Sequence, residues 1–379
     1  MEGARTAALQ RFFTFVATAL SMSVFMPSFF WPVISSSDAR PPPYDTVKPD
    51  LASFYFIRMR LFGKRLGILS WRLPNNHKKS SDADHVDFLV LGDSYADDID
   101  MGFRTWPGLL ASTKNGTCLN VSRGGSRADH GCTEQLDRAD RWMAESNKRV
   151  SDKTQVLIHL GGNDILHALQ MLGPFAILLL FFDLYLLAAA RWSWRPRMTA
   201  LPKYSFFGFL ARRITSSLTT LIGLLGKRGY TKVLVASVPL SASMPLPRIM
   251  ITCMTWAWVW RGGSRSKLVT DLLDDASELL DSHVSAALEE AARANQIQLQ
   301  YFDEGGALRK AACKLHENDL SKVRMFDSMW KDAHHPRQWV HAELAKAAEA
   351  VLMKQDKEMK AVKKRQSKSP AAVRRGAEK

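Results

Sequence analysis

Four short apolar runs punctuate the middle of the chain: VDFLVLG (86–92), TQVLIHLGG (154–162), TKVLVASVPL (231–240) and IQLQYFD (297–303). The first three are Val/Leu/Ile-rich and nearly continuous in apolar residues, the fourth is a further candidate, and all are too short for helices. Such runs predict strands buried on both faces of a parallel sheet. Helical patterns lie between and after them, at 132–148, over a Leu/Ala/Glu-rich stretch at 266–295, and at 341–353. Strand alternating with helix predicts an α/β fold: a doubly wound, mostly parallel sheet flanked by helices in three layers.

The flanks follow other patterns. Arg5 and Arg11 precede the charge-free run FFTFVATALSMSVFMPSFFWPVI (12–34). Basic residues before such a run predict a signal peptide or signal anchor over 1–40, with organellar targeting as an alternative. Small residues at 35–37 offer a cleavage point, and the prolines at 41–43 open a linker and lead-in over 41–84. The core domain then spans 85–353, with an apolar insert at about 171–225 that contains FAILLLFFDLYLLAAA (175–190) and RWSWRPR (191–197). Sixteen residues interrupted by Asp183 fall short of a bilayer span. Trp192, Trp194 and the neighbouring arginines suit a membrane interface. Packing within an enlarged domain is the other reading of this insert, and of IMITCMTWAWVWRGG (249–263).

Candidate chemistry clusters where the runs end. Gly92-Asp93-Ser94 closes the first, and Gly161-Gly162-Asn163-Asp164 closes the second. In open α/β sheets, reactive groups collect at the C-terminal ends of strands. A serine there can act as a nucleophile beside a helix N-terminus, and an asparagine offers a neutral N–H₂ to a developing oxyanion. Asn120-Val-Ser-Arg-Gly-Gly125 adds a turn whose backbone N–H can approach a ligand. Near the end, Asp332-Ala-His-His335-Pro336 sets a carboxylate three residues before a histidine. That spacing lets the acid fix the ring tautomer and leaves the other nitrogen to take a proton. His334 is one residue off this register.

In chain order these blocks resemble those of the SGNH (GDSL-type) hydrolase superfamily: GDS at 92–94, N-x-x-x-x-G at 120–125, G-x-N-D at 161–164 and D-x-x-H-P at 332–336. The resemblance implies a flavodoxin-like three-layer fold and a serine esterase acting through an acyl-enzyme. It implies Ser94 as nucleophile, His335 as base and Asp332 as its orienting acid. The oxyanion hole would be the Ser94 N–H, the Gly125 N–H (or that of Gly124) and the Asn163 side chain. Tyr95-Ala96-Asp97-Asp98 departs from the simplest family members and leaves the substrate open. No cofactor and no metal are expected.

Composition narrows the partners. Of the net charge of +15, seven units fall in 354–379, which holds ten Lys/Arg against three Asp/Glu and reads as a solvated, disordered basic tail. Contact with anionic head groups fits it. No zinc-finger or aromatic-basic RNA motif accompanies it, so no nucleic acid is expected. The four cysteines have no metal-ligand spacing, and a Cys118–Cys132 disulfide is open in an oxidising compartment. The leading expectation is a membrane-associated esterase of the secretory pathway, with a lipid or other amphiphilic acyl ester as substrate and a membrane surface as partner. A glycan O-acetyl esterase or acetyltransferase is the alternative, to which the sequons Asn115-Gly-Thr and Asn120-Val-Ser add weight. A non-catalytic membrane-tethered binding module is the third reading, and the intact Ser, Asn, Asp and His weigh against it.

The register makes a prediction. His335→Ala should cost as much esterase activity as loss of the nucleophile, and His334→Ala should be mild; steady-state rates of the two variants on a p-nitrophenyl ester would show any reversal.

Overall fold

The computed structural model describes residues 85–172, 179, 182–183, 186–187, 205–238, 265–315, 329–330 and 335–368. The expected strands form as β1 (Phe88–Gly92), β3 (Gln155–His159), β4 (Lys232–Ala236) and β5 (Gln298–Phe302). A further strand, β2 (Cys118–Asn120), lay below the reach of the hydrophobic pattern because only three residues pair. The sheet order is β2-β1-β3-β4-β5 and every pairing is parallel. The fold is therefore a three-layer α/β architecture whose strand order reverses between β1 and β3. In such sheets the crevice at the reversal is where ligands bind.

The helices are α1 (Asp98–Met101), α2 (Trp106–Thr113), α3 (Ala128–His130), α4 (Leu136–Glu145), α5 (Gly162–Leu172), α6 (Phe206–Lys227), α7 (Arg265–Ala294), α8 (Glu304–Leu315) and α9 (Gln338–Lys368). A π-helical turn, Gly131–Gln135, joins α3 to α4. Side chains alternate across β1, so Leu89 and Leu91 enter one core while Phe88 and Val90 enter the other. The first core is closed by α4, α6 and α7 through Leu136, Leu221 and Leu280. The second is closed by α2, α8 and α9 through Trp106, Leu308 and Val340.

Several expectations change. Residues 206–225, expected within the apolar insert, form most of α6, a layer helix with Leu210, Ile214, Leu218 and Leu225 buried in the core, which is the packing reading of the insert. Asp183, the one charge in the apolar run, explains how that run meets the domain. It is buried, and its Oδ2 accepts the Phe207 N–H at 2.8 Å while Ser205 caps the same helix through the Gly208 N–H. Leu187 is buried in the same core. Among the described residues no helix is long and apolar enough to cross a membrane. The expected N-terminal signal or anchor, the linker, the Trp192/Trp194 cluster and 249–263 lie outside the described residues. The last helix runs to Lys368 rather than ending near Met353, so the expected disordered tail is helical over its first half. Lys, Glu, Ala and Met are good helix formers, and no proline intervenes before Pro370. Cys118 and Cys132 are free thiols; Cys118 is buried in β2, and Cys132 donates to the Ser217 carbonyl at 3.1 Å.

Burial pushes the Asp183 carboxyl up to about 6, with the Phe207 N–H opposing the rise. Asp183→Ala should destabilise the domain by about 1–2 kcal/mol through loss of a buried cap. Asp183→Asn, which keeps an acceptor oxygen and sheds the desolvated charge, should be near neutral at pH 7. Urea midpoints of the two variants would separate the cap from the charge.

Candidate active site

The backbone after β1 is held on every side. Gly92 pairs in register with His159 of β3, and the Asp93 N–H donates to the His159 carbonyl at 3.0 Å. The Gly92 carbonyl accepts the Arg123 N–H at 3.0 Å and the Gln135 side-chain N–H at 2.6 Å, and the Gly92 N–H donates to Gln135 Oε1 at 2.8 Å. Gln135 thus supplies, from the π-helical turn, what a longer β2 would have supplied. A Cβ on residue 92 would stand 2.5 Å from that of Ala96 and 3.1 Å from the His159 carbonyl, so only glycine fits. Beyond it, the Asp93 carboxylate accepts the Tyr95 N–H at 3.0 Å, and the Asp93 carbonyl accepts the Ala96 N–H at 3.0 Å.

This turn presents Ser94 to His335. His335 Nε2 lies 2.8 Å from Ser94 Oγ, and both residues are buried. A pair separated by 241 positions in the chain is brought into hydrogen-bond contact. The loop carrying His335 is closed at its base by a bridge between Trp330 and Pro336, by the Arg337 N–H on the Met329 carbonyl at 2.8 Å, and by Arg337 Nε on the Trp330 carbonyl at 3.1 Å. Asp332 and His334 lie outside the described residues.

The other two loops at this end of the sheet are tied to the first and to each other. Asp97 caps α1 through the Ile99 and Asp100 N–H groups and accepts the Gly124 N–H on its other oxygen at 3.1 Å. Asn120 donates to the Ala96 carbonyl at 2.7 Å, and its Oδ1 accepts from both the backbone N–H and the hydroxyl of Ser122. With both ends of its amide engaged and buried, Asn120 cannot carry a glycan, whereas Asn115 is exposed. From the first turn of α5, just after β3, half-buried Asn163 donates to the Ser126 carbonyl at 3.0 Å. Asp164 accepts the Ala128 N–H at 2.8 Å and Arg213 Nε at 3.2 Å. Gly125 sits between these anchors at φ +78°, a left-handed conformation suited to glycine.

The structure thus brings Ser94, His335 and the anchored Asn163 loop to the β1/β3 crevice, with Gly124 and Gly125 on the adjoining β2 loop. It also reassigns the two acids after the nucleophile. They are internal struts: Asp97 as described, and Asp98 through the Thr105 N–H at 2.7 Å and the Thr105 hydroxyl at 2.6 Å. The sequence pattern missed Gln135, His159 and Glu304. His159 is buried between Asp93, at 2.9 Å from Nδ1, and Glu304, at 2.5 Å from Nε2. A polar histidine at the end of an apolar run was the one available signal for it.

No family model matches this chain and no curated protein matches it. Among solved structures, one similar protein is described as "a putative SGNH hydrolase from Slackia heliotrinireducens", at 14% identity and a TM-score of 0.33, covering 71% of this chain and 99% of that one. Another is a gut microbial diltiazem-metabolizing enzyme, at 12% identity and a TM-score of 0.37, covering 73% of this chain and 48% of that one. This chain spans about half the length of the second. These likenesses are too distant to carry an argument about activity, which rests on the site itself.

Burial, with Asp100 beside it, pushes the Asp97 carboxyl up to about 7, against the three backbone N–H groups that it accepts. A raised carboxyl pKa means that the folded protein holds a proton that the unfolded chain has released. Stability linked to Asp97 is therefore present at low pH and is lost as pH rises from about 4 to about 7. Asp97→Asn should abolish this component, so that its stability relative to wild type improves with pH across that window. Denaturant titrations at several pH values would detect the slope, and parallel curves would exclude it.

Proposed function

We propose that this protein is a serine esterase that cleaves carboxylic esters through an acyl-enzyme. The observation that carries this reading is the 2.8 Å contact between His335 Nε2 and Ser94 Oγ at the crevice where the strand order reverses. In the proposed mechanism, Ser94 Oγ attacks the ester carbonyl as His335 Nε2 takes its proton. The His335 imidazolium then protonates the leaving alcohol, and the neutral ring activates water to release the acid. Asp332, three residues upstream, orients the ring. The Ser94 N–H and the Asn163 side chain supply two oxyanion donors. Gly125 supplies the third in preference to Gly124, because the Gly124 N–H is already given to Asp97. Asn163 can serve while bound to Ser126, since that contact uses one of its two N–H bonds.

For the substrate, we propose an amphiphilic acyl ester met at a membrane surface. The support is the charge-free run at 12–34 after two arginines, the Trp/Arg cluster at 191–197 and the basic C-terminal region, all features of the sequence.

The test is covalent. A fluorophosphonate probe should label the wild-type chain at Ser94, and Ser94→Ala should lose both labelling and turnover by several orders of magnitude with its melting temperature retained. Asn163→Ala should lower kcat by about 10²–10³ with a much smaller change in KM. A folded wild-type protein that neither labels nor hydrolyses acetyl, long-chain, phospholipid or acetylated-sugar esters would overturn the assignment.

A further inference from the structure

Directly behind the Ser94 turn lies a chain of three ionisable side chains that the proposed mechanism does not use. Asp93 from the turn, His159 from the end of β3 and Glu304 from the start of α8 are all buried. Asp93 Oδ1 lies 2.9 Å from His159 Nδ1, and Glu304 Oε2 lies 2.5 Å from His159 Nε2. The same Asp93 Oδ1 also accepts the Tyr95 N–H at 3.0 Å. Glu304 is seated by the Ser237 hydroxyl at the end of β4, which accepts the Glu304 N–H at 2.9 Å. The chain thus links β1, β3, β4 and α8 beneath one dipeptide, Ser94-Tyr95.

Such an arrangement is costly to bury unless its charges are paired and hydrogen-bonded, as they are here. Two carboxylates bridged by one imidazole share two hydrogens and carry a single net negative charge, wherever each bridging proton sits. Burial alone would drive the His159 pKa down, but Glu304 and Asp93 outweigh it and hold it well above the ordinary value. Burial raises Glu304, opposed by His159 and reinforced by Asp93 and Asp303. The charge faces the site through one ring: Tyr95 stacks on His159 with centroids 5.0 Å apart and an 8° tilt, and lies 6.1 Å from the His335 ring. His341 meets the edge of Tyr95 at 6.1 Å, and Trp106 packs edge-on to His159 at 6.4 Å.

We propose that His159 and Glu304 are positioning residues, which clamp Asp93 so that the Ser94 turn stays aimed at His335 and which set a fixed negative charge behind Tyr95 that favours the protonated form of His335. This inference rests on Ser94 as nucleophile and His335 as base. The two actions are separable. Positioning acts on kcat, because a misplaced hydroxyl loses the attack geometry. The charge acts on the His335 titration, with attraction for the imidazolium.

Glu304→Gln keeps the side-chain shape and leaves His159 opposite one carboxylate, a neutral pair. In the full chain labelled at histidine, with His335 assigned through His335→Gln, NMR titration should show the His335 midpoint lower in Glu304→Gln than in wild type. Wild-type His159 should stay protonated above the ordinary imidazole range. On p-nitrophenyl acetate, kcat should fall about tenfold with KM nearly unchanged, and the acid limb of kcat/KM should move to lower pH. An unshifted His335 midpoint with unchanged kcat, even alongside a lower melting temperature, would reduce the chain to a structural role and overturn the proposal. If Glu304→Gln does not fold, Ser237→Ala, which removes only the hydroxyl seating Glu304, should move both readings in the same directions by less, and no movement there would overturn it equally. An inactive wild type with the His335 shift intact would instead fault the esterase reading.

Discussion

The site depends on a stretch of backbone from Gly92 to Ala96 that has almost no freedom. Its N–H and C=O groups are bonded to β3, to the β2 loop and to the Gln135 amide, and a side chain at position 92 would collide with Ala96. Side-chain geometry follows from that constraint. A serine on a mobile loop would spend little time within reach of a histidine carried by another loop. A serine on a backbone fixed by several buried hydrogen bonds needs only its own rotamer to be set. The π-helical turn belongs to the same constraint, since it places Gln135 beside Gly92 on the side where β2 has already ended. Irregular helical turns of this kind recur at functional sites.

Rigidity of the first loop spreads to the other two because they are joined by side chains rather than by packing alone. Asp97 connects the β1 loop to the β2 loop, and Asn163 with Asp164 connects the β2 loop to the start of α5. Each link satisfies a backbone group that would otherwise be buried without a partner, at a cost of about 1–3 kcal/mol apiece. Arg213 extends the network into α6, so a helix of the layer that closes the first core supports Asn163 and Asp164. Several of the linking carboxylates have raised pKa values, Asp97 to about 7 and Asp164 to about 6, with burial the leading cause in both. Desolvated carboxylates so close to a nucleophile are tolerated because each accepts two or more hydrogen bonds.

Much of this was legible in the sequence, for reasons that also explain what was not. Buried parallel strands are nearly unbroken apolar runs, so β1, β3 and β4 stood out, and the residues at the ends of β1 and β3 marked the crevice; β5, an edge strand with Gln298 exposed, gave the weaker alternating pattern. Three-residue β2 carries no periodicity, and it was visible only as the approach to Asn120. At 206–225 apolarity left two readings open, because a helix buried in a core and a membrane-facing segment present the same composition. Asp183 was the discriminating residue, but its role as a cap for α6 depends on Ser205 and Phe207, some twenty positions on. The acids at 97 and 98 were visible yet uninterpretable, because their partners, Gly124 and Thr105, lie in other loops. Spacing could pair Asp332 with His335 locally, but no local pattern could pair His159 with Glu304 across 145 positions.

The placement of His335 shows why the second core matters to chemistry. His335 stands just before α9, whose register against α2 is fixed by the Trp106 N–H bonding to His341 Nδ1 at 3.3 Å and by Val340, Leu344 and Ala348 in the core that holds Trp106 and Leu110. A slip of α9 by one residue would turn the buried ring of His341 away from Trp106 and Tyr95 and would carry His335 off Ser94. The cost of that slip is paid in the burial of large apolar side chains, at about 1.5–3 kcal/mol for each one exposed. The hydrogen bond between Ser94 and His335 could not supply that much, since such bonds contribute about 1 kcal/mol net. Packing in the α2/α9 layer therefore sets the position of the base, and the anchored β1 turn sets the position of the nucleophile. Both positions meet at the Tyr95 ring, which packs with His159, His335 and His341 together.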